Sequence, residues 1–163
     1  MEDDKTDLLK AQEIFRVVCN MLDNKEWNYK RDEENFVIIK ALQGNDIPME
    51  FIIRILPSQQ IIVFTSVLPF KINKEKWVDI AIACCSVNYI LLDGSFDFSV
   101  NDGIIKFRMT ASYQNSSLNK ELFENMLIVS ACTVDEYNDK LLMLSKGNLD
   151  IHKFLGSLNQ GEK

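Results

Sequence analysis

The chain has 163 residues, 47% hydrophobic and 26% charged, apolar content enough for one domain over residues 1–163 without metal or disulfide staples. Its formal charge is -6; ten acids against six bases in residues 1–35 disfavour sequence-independent binding to nucleic acid or an anionic membrane. No apolar run reaches the ~18 residues of a membrane span, and the start Met1-Glu2-Asp3-Asp4 is acidic where a signal peptide is basic, so a cytoplasmic protein is expected.

In chain order, Thr6 is placed to cap a helix over residues 6–24, with Asp7 in its first turn where the helix dipole favours an anion. Leu8, Ala11, Phe15, Val18 and Leu22 make the stripe of a helix that covers one face of a sheet. Residues 27–30 alternate as a short strand, and Arg31-Asp32-Glu33-Glu34 reads as a charged turn. The Glu33-Glu34 pair is read as solvated turn and not as a catalytic acid and base. Three strands follow at 35–43, 48–56 and 60–67, separated by the turn residues Gly44-Asn45-Asp46 and Pro57-Ser58, which predicts an antiparallel meander.

That meander is apolar on both faces. Phe36, Ile38 and Leu42 oppose Val37, Ile39 and Ala41; Phe51 and Ile53 oppose Ile52; Ile61 and Val63 oppose Ile62 and Phe64. A sheet with one wet face alternates more cleanly, so both faces are expected to be covered by helices or by another subunit.

Pro69 is expected to stop the third strand, because proline cannot donate to a ladder. Asn73 caps a second helix whose stripe is Trp77, Ile80, Ala81, Cys84 and Val87, ending near 88–91. Asn88, at that end, is assigned a structural role in satisfying free backbone groups. Residues 95–100 and 103–113 read as a hairpin that continues the sheet toward an edge. A turn at Asn101-Asp102 sets Phe98 opposite Ile105, Phe96 opposite Phe107 and Asp97 opposite Lys106.

The linker Gln114-Asn115-Ser116-Ser117 leads to a long helix over 119–145, with a capping-box pattern at Thr133-Val134-Asp135-Glu136 that marks a candidate break. Gly147 ends it, so the core spans about 6–146. A short amphipathic helix over about 149–158, carrying Ile151, Phe154, Leu155 and Leu158, is too short to be stable alone and must dock.

Chemistry-bearing motifs are sparse. His152 is the single histidine and stands in no nucleophile context, and neither GxGxxG nor GxxxxGK[ST] is present. Residues 97–103 superficially resemble a calcium loop, but the glycine falls one place late and Arg108 stands where a bidentate glutamate belongs. Lys106 and Arg108 flank Phe107, yet alternation puts the aromatic on the face opposite the basic pair, which argues core packing and not an RNA platform. Cys19, Cys84, Cys85 and Cys132 show no CxxC spacing and are read as buried apolar residues of a reducing compartment. No catalytic, cofactor-binding or metal-binding residue is assigned. A thiol redox or metal sensor using Cys84 and Cys85 is the alternative class, checked by thiol titration.

The predicted order is α-ββββ-α-ββ-α-α, an α+β fold with five to six antiparallel strands and helices packed on them. At Asn88-Tyr89, Gly94-Ser95-Phe96-Asp97 and Asp102-Gly103-Ile104-Ile105-Lys106-Phe107-Arg108 the sequence resembles the YbjN family. Further likeness lies in Phe51-Ile52-Ile53-Arg54, Leu68-Pro69-Phe70, and Asp135 with Tyr137, spanning about residues 8–144. The four cysteines and the segment from Asp150 fall outside that pattern. Members are described as bacterial sensory-transduction regulators and share the fold of type III secretion chaperones. The resemblance implies a non-enzymatic module, homodimeric, that holds a protein or peptide client through apolar sheet or edge surfaces, with no residue of the binding site assigned.

Overall fold

The computed structural model describes residues 2–114 and 119–158, with the side chains of residues 2–4 left aside. Helix α1 (Glu2–Asn24) leads into strands β1 (Lys30–Asp32), β2 (Val37–Leu42), β3 (Met49–Leu56) and β4 (Ile61–Lys71). A 3-10 turn (Lys74–Lys76) enters helix α2 (Trp77–Ile90), followed by β5 (Ser95–Ser99), β6 (Ile104–Ser112), α3 (Lys120–Ser145) and α4 (Ile151–Leu158). The six strands form one antiparallel sheet in the order β1-β2-β3-β4-β6-β5. This is the predicted α+β architecture and element order.

Alternation decides which face becomes the core. Along β3 the side chains of Met49, Phe51, Ile53 and Ile55 are buried while Glu50 and Arg54 are exposed. Their cross-strand partners Ile38, Ile62 and Phe64, and Phe107 and Met109 on β6, are buried on the same face. Helices α1 and α3 pack there on β3, α3 continues onto β4 and β6, and α2 lies against β5. Burying one large apolar side chain contributes about 1.5–3 kcal/mol, so this layer outweighs exposed ion pairs such as Arg31–Glu33, worth roughly 0–1 kcal/mol each.

The hairpin register is as predicted: Phe98 opposes Ile105, Phe96 opposes Phe107 and Asp97 opposes Lys106. Asn119 caps α3, its side chain accepting from Leu122 N at 2.8 Å. Helix α4 docks by Phe154, which is fully buried, and contacts α2 and α3. The β2–β3 loop is pinned to α3, because Asp135 accepts from Asn45 N at 2.8 Å and from the Asn45 side-chain amide.

Several expectations are corrected. Helix α1 begins at Glu2, so Thr6 lies inside it and not at its cap. The first strand is Lys30–Asp32 and not residues 27–30, which takes Arg31 and Asp32 out of the turn. Phe36 precedes β2 at a φ of 52°, its ring against Phe15 and its carbonyl accepting from Ile55 N at 3.1 Å. Strand β4 runs through Pro69 to Lys71, and the pairing with β6 shifts between Val67 and Lys71, where no donor is required of the proline. Asn73 makes no side-chain cap bond. Helix α3 is continuous past Thr133, which is buried. Part of the predicted linker, Asn115-Ser116-Ser117, lies outside the described residues.

Candidate functional site

All the described helices pack on one side of the sheet, so the reading in which the chain covers both faces itself is corrected. The opposite face can be followed strand by strand through the register. One row runs Lys30, Ile39, Ile52, Thr65, Arg108, Ser95, and the next runs Asp32, Val37, Arg54, Val63, Thr110. Leu56, Ile61 and Ser112 make a third row. The apolar members are half-buried by their neighbours in the sheet, and Val67, beside them, is 46% exposed.

This face has two halves. Across β2, β3 and β4 it is aliphatic, with Glu50 and Arg54 the charges of β3. Across β6 and β5 it is polar, and Asp97 lies between Arg108 and Lys106 at 2.8 and 3.8 Å. The Arg108 guanidinium beside Asp97 holds its carboxyl below the usual carboxylate range against the opposing effect of partial burial. The surface offers apolar contact bordered by fixed charges.

A second uncovered surface lies on α2. The helix is apolar nearly all round: Ile80, Ala83, Cys84 and Val87 are buried inward, while Val78, Ala81, Ile82, Cys85 and Tyr89 form an outward stripe. Val78 is 70% exposed, Tyr89 90%, and Leu92, just past the helix, 99%. No charge falls between Asp79 and Asp93. The stripe read in the sequence was the inward one save for Ala81, which is exposed on the outer side; the outward counterpart was missed, and the charge-free run was the signal that could have found it.

The thiols divide by environment. Cys19 and Cys84 are buried as expected, but Cys85 and Cys132 are exposed, and all four are free. Burial pushes the Cys84 thiol up to about 12, which keeps it protonated near neutrality. Cys84 is thus turned inward and Cys85 outward on α2. Among the described residues no group of His, Cys, Asp and Glu could hold a metal ion.

Between α1 and the β1–β2 turn lies a cleft of about 290 Å³, floored by Phe15, Cys19 and Phe36 and edged by Arg16, Arg31 and Glu33. Burial raises the Cys19 thiol, and Arg31 is bonded to Glu33 at 3.1 Å. His152 is exposed on α4, and Glu33 and Glu34 are exposed in their turn. The aromatic Phe107 is fully buried while Lys106 and Arg108 emerge on the other face, so no stacking platform forms. No helix among the described residues is long and apolar enough to cross a membrane.

A single antiparallel sheet with helices on one face, preceded by α1 and interrupted by α2, is the fold of the YbjN and type III secretion chaperone group. The chain is similar to E. coli YbjN, a candidate transcription regulator, at 10% identity with a TM-score of 0.52, covering 80% of this chain and 87% of that one. It is similar to the crystal structure of the ExsC–ExsE complex at 12% identity with a TM-score of 0.56, covering 79% of this chain and 93% of the matched one. No family model matches the sequence, and no curated protein matches it.

Proposed function

We propose that the chain is a non-enzymatic protein-binding module that holds another polypeptide on the uncovered face of its sheet, and that it works as a homodimer in the cytoplasm. The observation that carries the reading is the aliphatic half of that face. Val37, Ile39, Ile52, Ile61 and Val63 are brought side by side by the register, on strands whose other face is already a complete core. Burying such a surface is favourable by roughly 25 cal/mol per Å² of apolar area, and contiguous exposed apolar area on a folded domain marks an interaction site. Arg54 within the patch and Lys106 at its border suit a client segment that carries acids among its apolar anchors. The likeness to a protein solved as a complex supports the reading, and four free thiols fit a reducing compartment.

The test is selection from a random-peptide library on the native chain, with counter-selection on an Ile52→Glu/Val63→Glu variant that retains its circular dichroism. Enrichment of apolar, acid-containing peptides that the variant fails to retain is expected. Peptides held equally by both chains, or none above background, would overturn the reading.

A further inference from the structure

We infer that the cleft between α1 and the β1–β2 turn is a binding site for a small organic anion, a single carboxylate carried on an aryl or short alkyl body. The site is separate from the sheet face, so this inference and the client-binding reading stand or fall independently.

The helical wall of the cleft is one face of α1. Gln12, Phe15, Arg16, Cys19 and Asn20 recur at i, i+3, i+4, i+7 and i+8. Phe15 and Cys19 are buried, while Gln12, Arg16 and Asn20 stand exposed at the rim. Helix α1 packs on β3 and α3, and its outer flank does not close over the turn. The other wall is Arg31, Glu33 and Phe36. Phe36 holds a φ of 52°, the left-handed region that glycine enters without strain. Its ring is nevertheless turned onto that of Phe15, with centroids 5.8 Å apart, and its carbonyl is tied to Ile55 N at 3.1 Å. A bulky residue held in that conformation by its neighbours is strain of the kind that collects at ligand sites.

Charge selects the ligand. Arg16 joins none of the ion pairs among the described residues. Arg31 gives Glu33 its Nε at 3.1 Å, one of the N–H donors that a guanidinium carries in a fork. Two guanidiniums against one carboxylate leave one net positive charge at the rim, in a stretch of chain where acids outnumber bases. A monoanion matches that excess, and a carboxylate fits the guanidinium fork. The body must be apolar, because the floor below the arginines is two phenyl rings and a buried thiol. It must also be small: the cleft of about 290 Å³ lies at the lower end of the roughly 300–1,000 Å³ usual for ligand pockets.

Titration of the native chain with phenylacetate, followed by amide chemical shifts, tests the assignment. Saturable shifts are expected at residues 12–20 and 31–36, with a dissociation constant of about 1 mM or below. Phenylacetamide, which has the ring without the charge, and acetate, which has the charge without the ring, should each bind at least about tenfold more weakly. Arg16→Gln, a change at an exposed position, should weaken phenylacetate about tenfold, while Arg54→Gln on the sheet face should leave it within about twofold. The shift map of the native chain needs no variant to fold. No shift in the cleft at about 10 mM phenylacetate, shifts led by the sheet face, equal binding of phenylacetamide, or unchanged affinity in Arg16→Gln would each overturn the inference. Cleft shifts produced by a library-selected peptide and not by phenylacetate would overturn it too, and would make the cleft part of the client surface.

Discussion

Asn88 closes the outer edge of the sheet by bonding both backbone groups of Phe96: its side-chain oxygen accepts from Phe96 N at 2.7 Å and its side-chain nitrogen donates to Phe96 O at 3.0 Å. In an extended strand the N–H and C=O of one residue point the same way. Strand β5 is an edge with β6 on its other side, so at Phe96 both groups face outward, where an unpaired edge invites another strand. One amide on α2 therefore stands in for a neighbouring strand. It also fixes α2 against the sheet and so sets the direction of the helix's outward stripe.

Replacing Asn88 by Ala removes both bonds and leaves two part-buried backbone groups unpaired. We expect a loss of about 2 kcal/mol and a melting temperature lower by roughly 4–8 °C, read from thermal unfolding. An unchanged melt would mean that water serves Phe96 equally well.

Asp97 gives a pH dependence. Its folded carboxyl lies below its unfolded value because Arg108 bonds the ionised form. The contribution is thus complete above the unfolded carboxylate range, near pH 4, and is lost as the pH falls through the folded value. Urea unfolding should place Asp97→Asn about 0.5–1 kcal/mol below the native chain at pH 7, the pair being part-exposed. As the pH falls through the folded value the two chains should converge. A gap that persists undiminished at low pH would show that the ion pair is not its source.

Asn138 is fully buried in α3, and among the described residues neither atom of its amide has a hydrogen-bond partner. A buried unpaired polar group costs about 1–3 kcal/mol. Asn138→Leu, which keeps the branched heavy-atom skeleton without the polar atoms, should raise stability by about 1 kcal/mol in chemical denaturation; a loss of that size would mean the amide is satisfied in solution.

What the sequence made legible were the local rules. The 95–112 hairpin was predictable in register because Asn101-Asp102 fixes the turn and alternation then places every partner. Phe154 sits where the amphipathic spacing of the terminal helix puts it. What it left open depended on the third dimension. Ile39 and Ile52 read as apolar whether a helix, a second subunit or a client covers them. Pro69 was taken to end a strand because the relaxed pairing beside it is a tertiary matter. The outer stripe of α2 was masked because a helix apolar all round has no single face for periodicity to find.

The most direct test of the central claim is a fluorescence-anisotropy titration of a selected peptide with three chains: native, Ile52→Glu/Val63→Glu, and Cys85→Asp. The account predicts that the sheet variant weakens binding at least about tenfold while Cys85→Asp leaves the affinity per chain within about twofold. Equal affinity for the native chain and the sheet variant would contradict it, since the peptide would then be held somewhere other than the uncovered face.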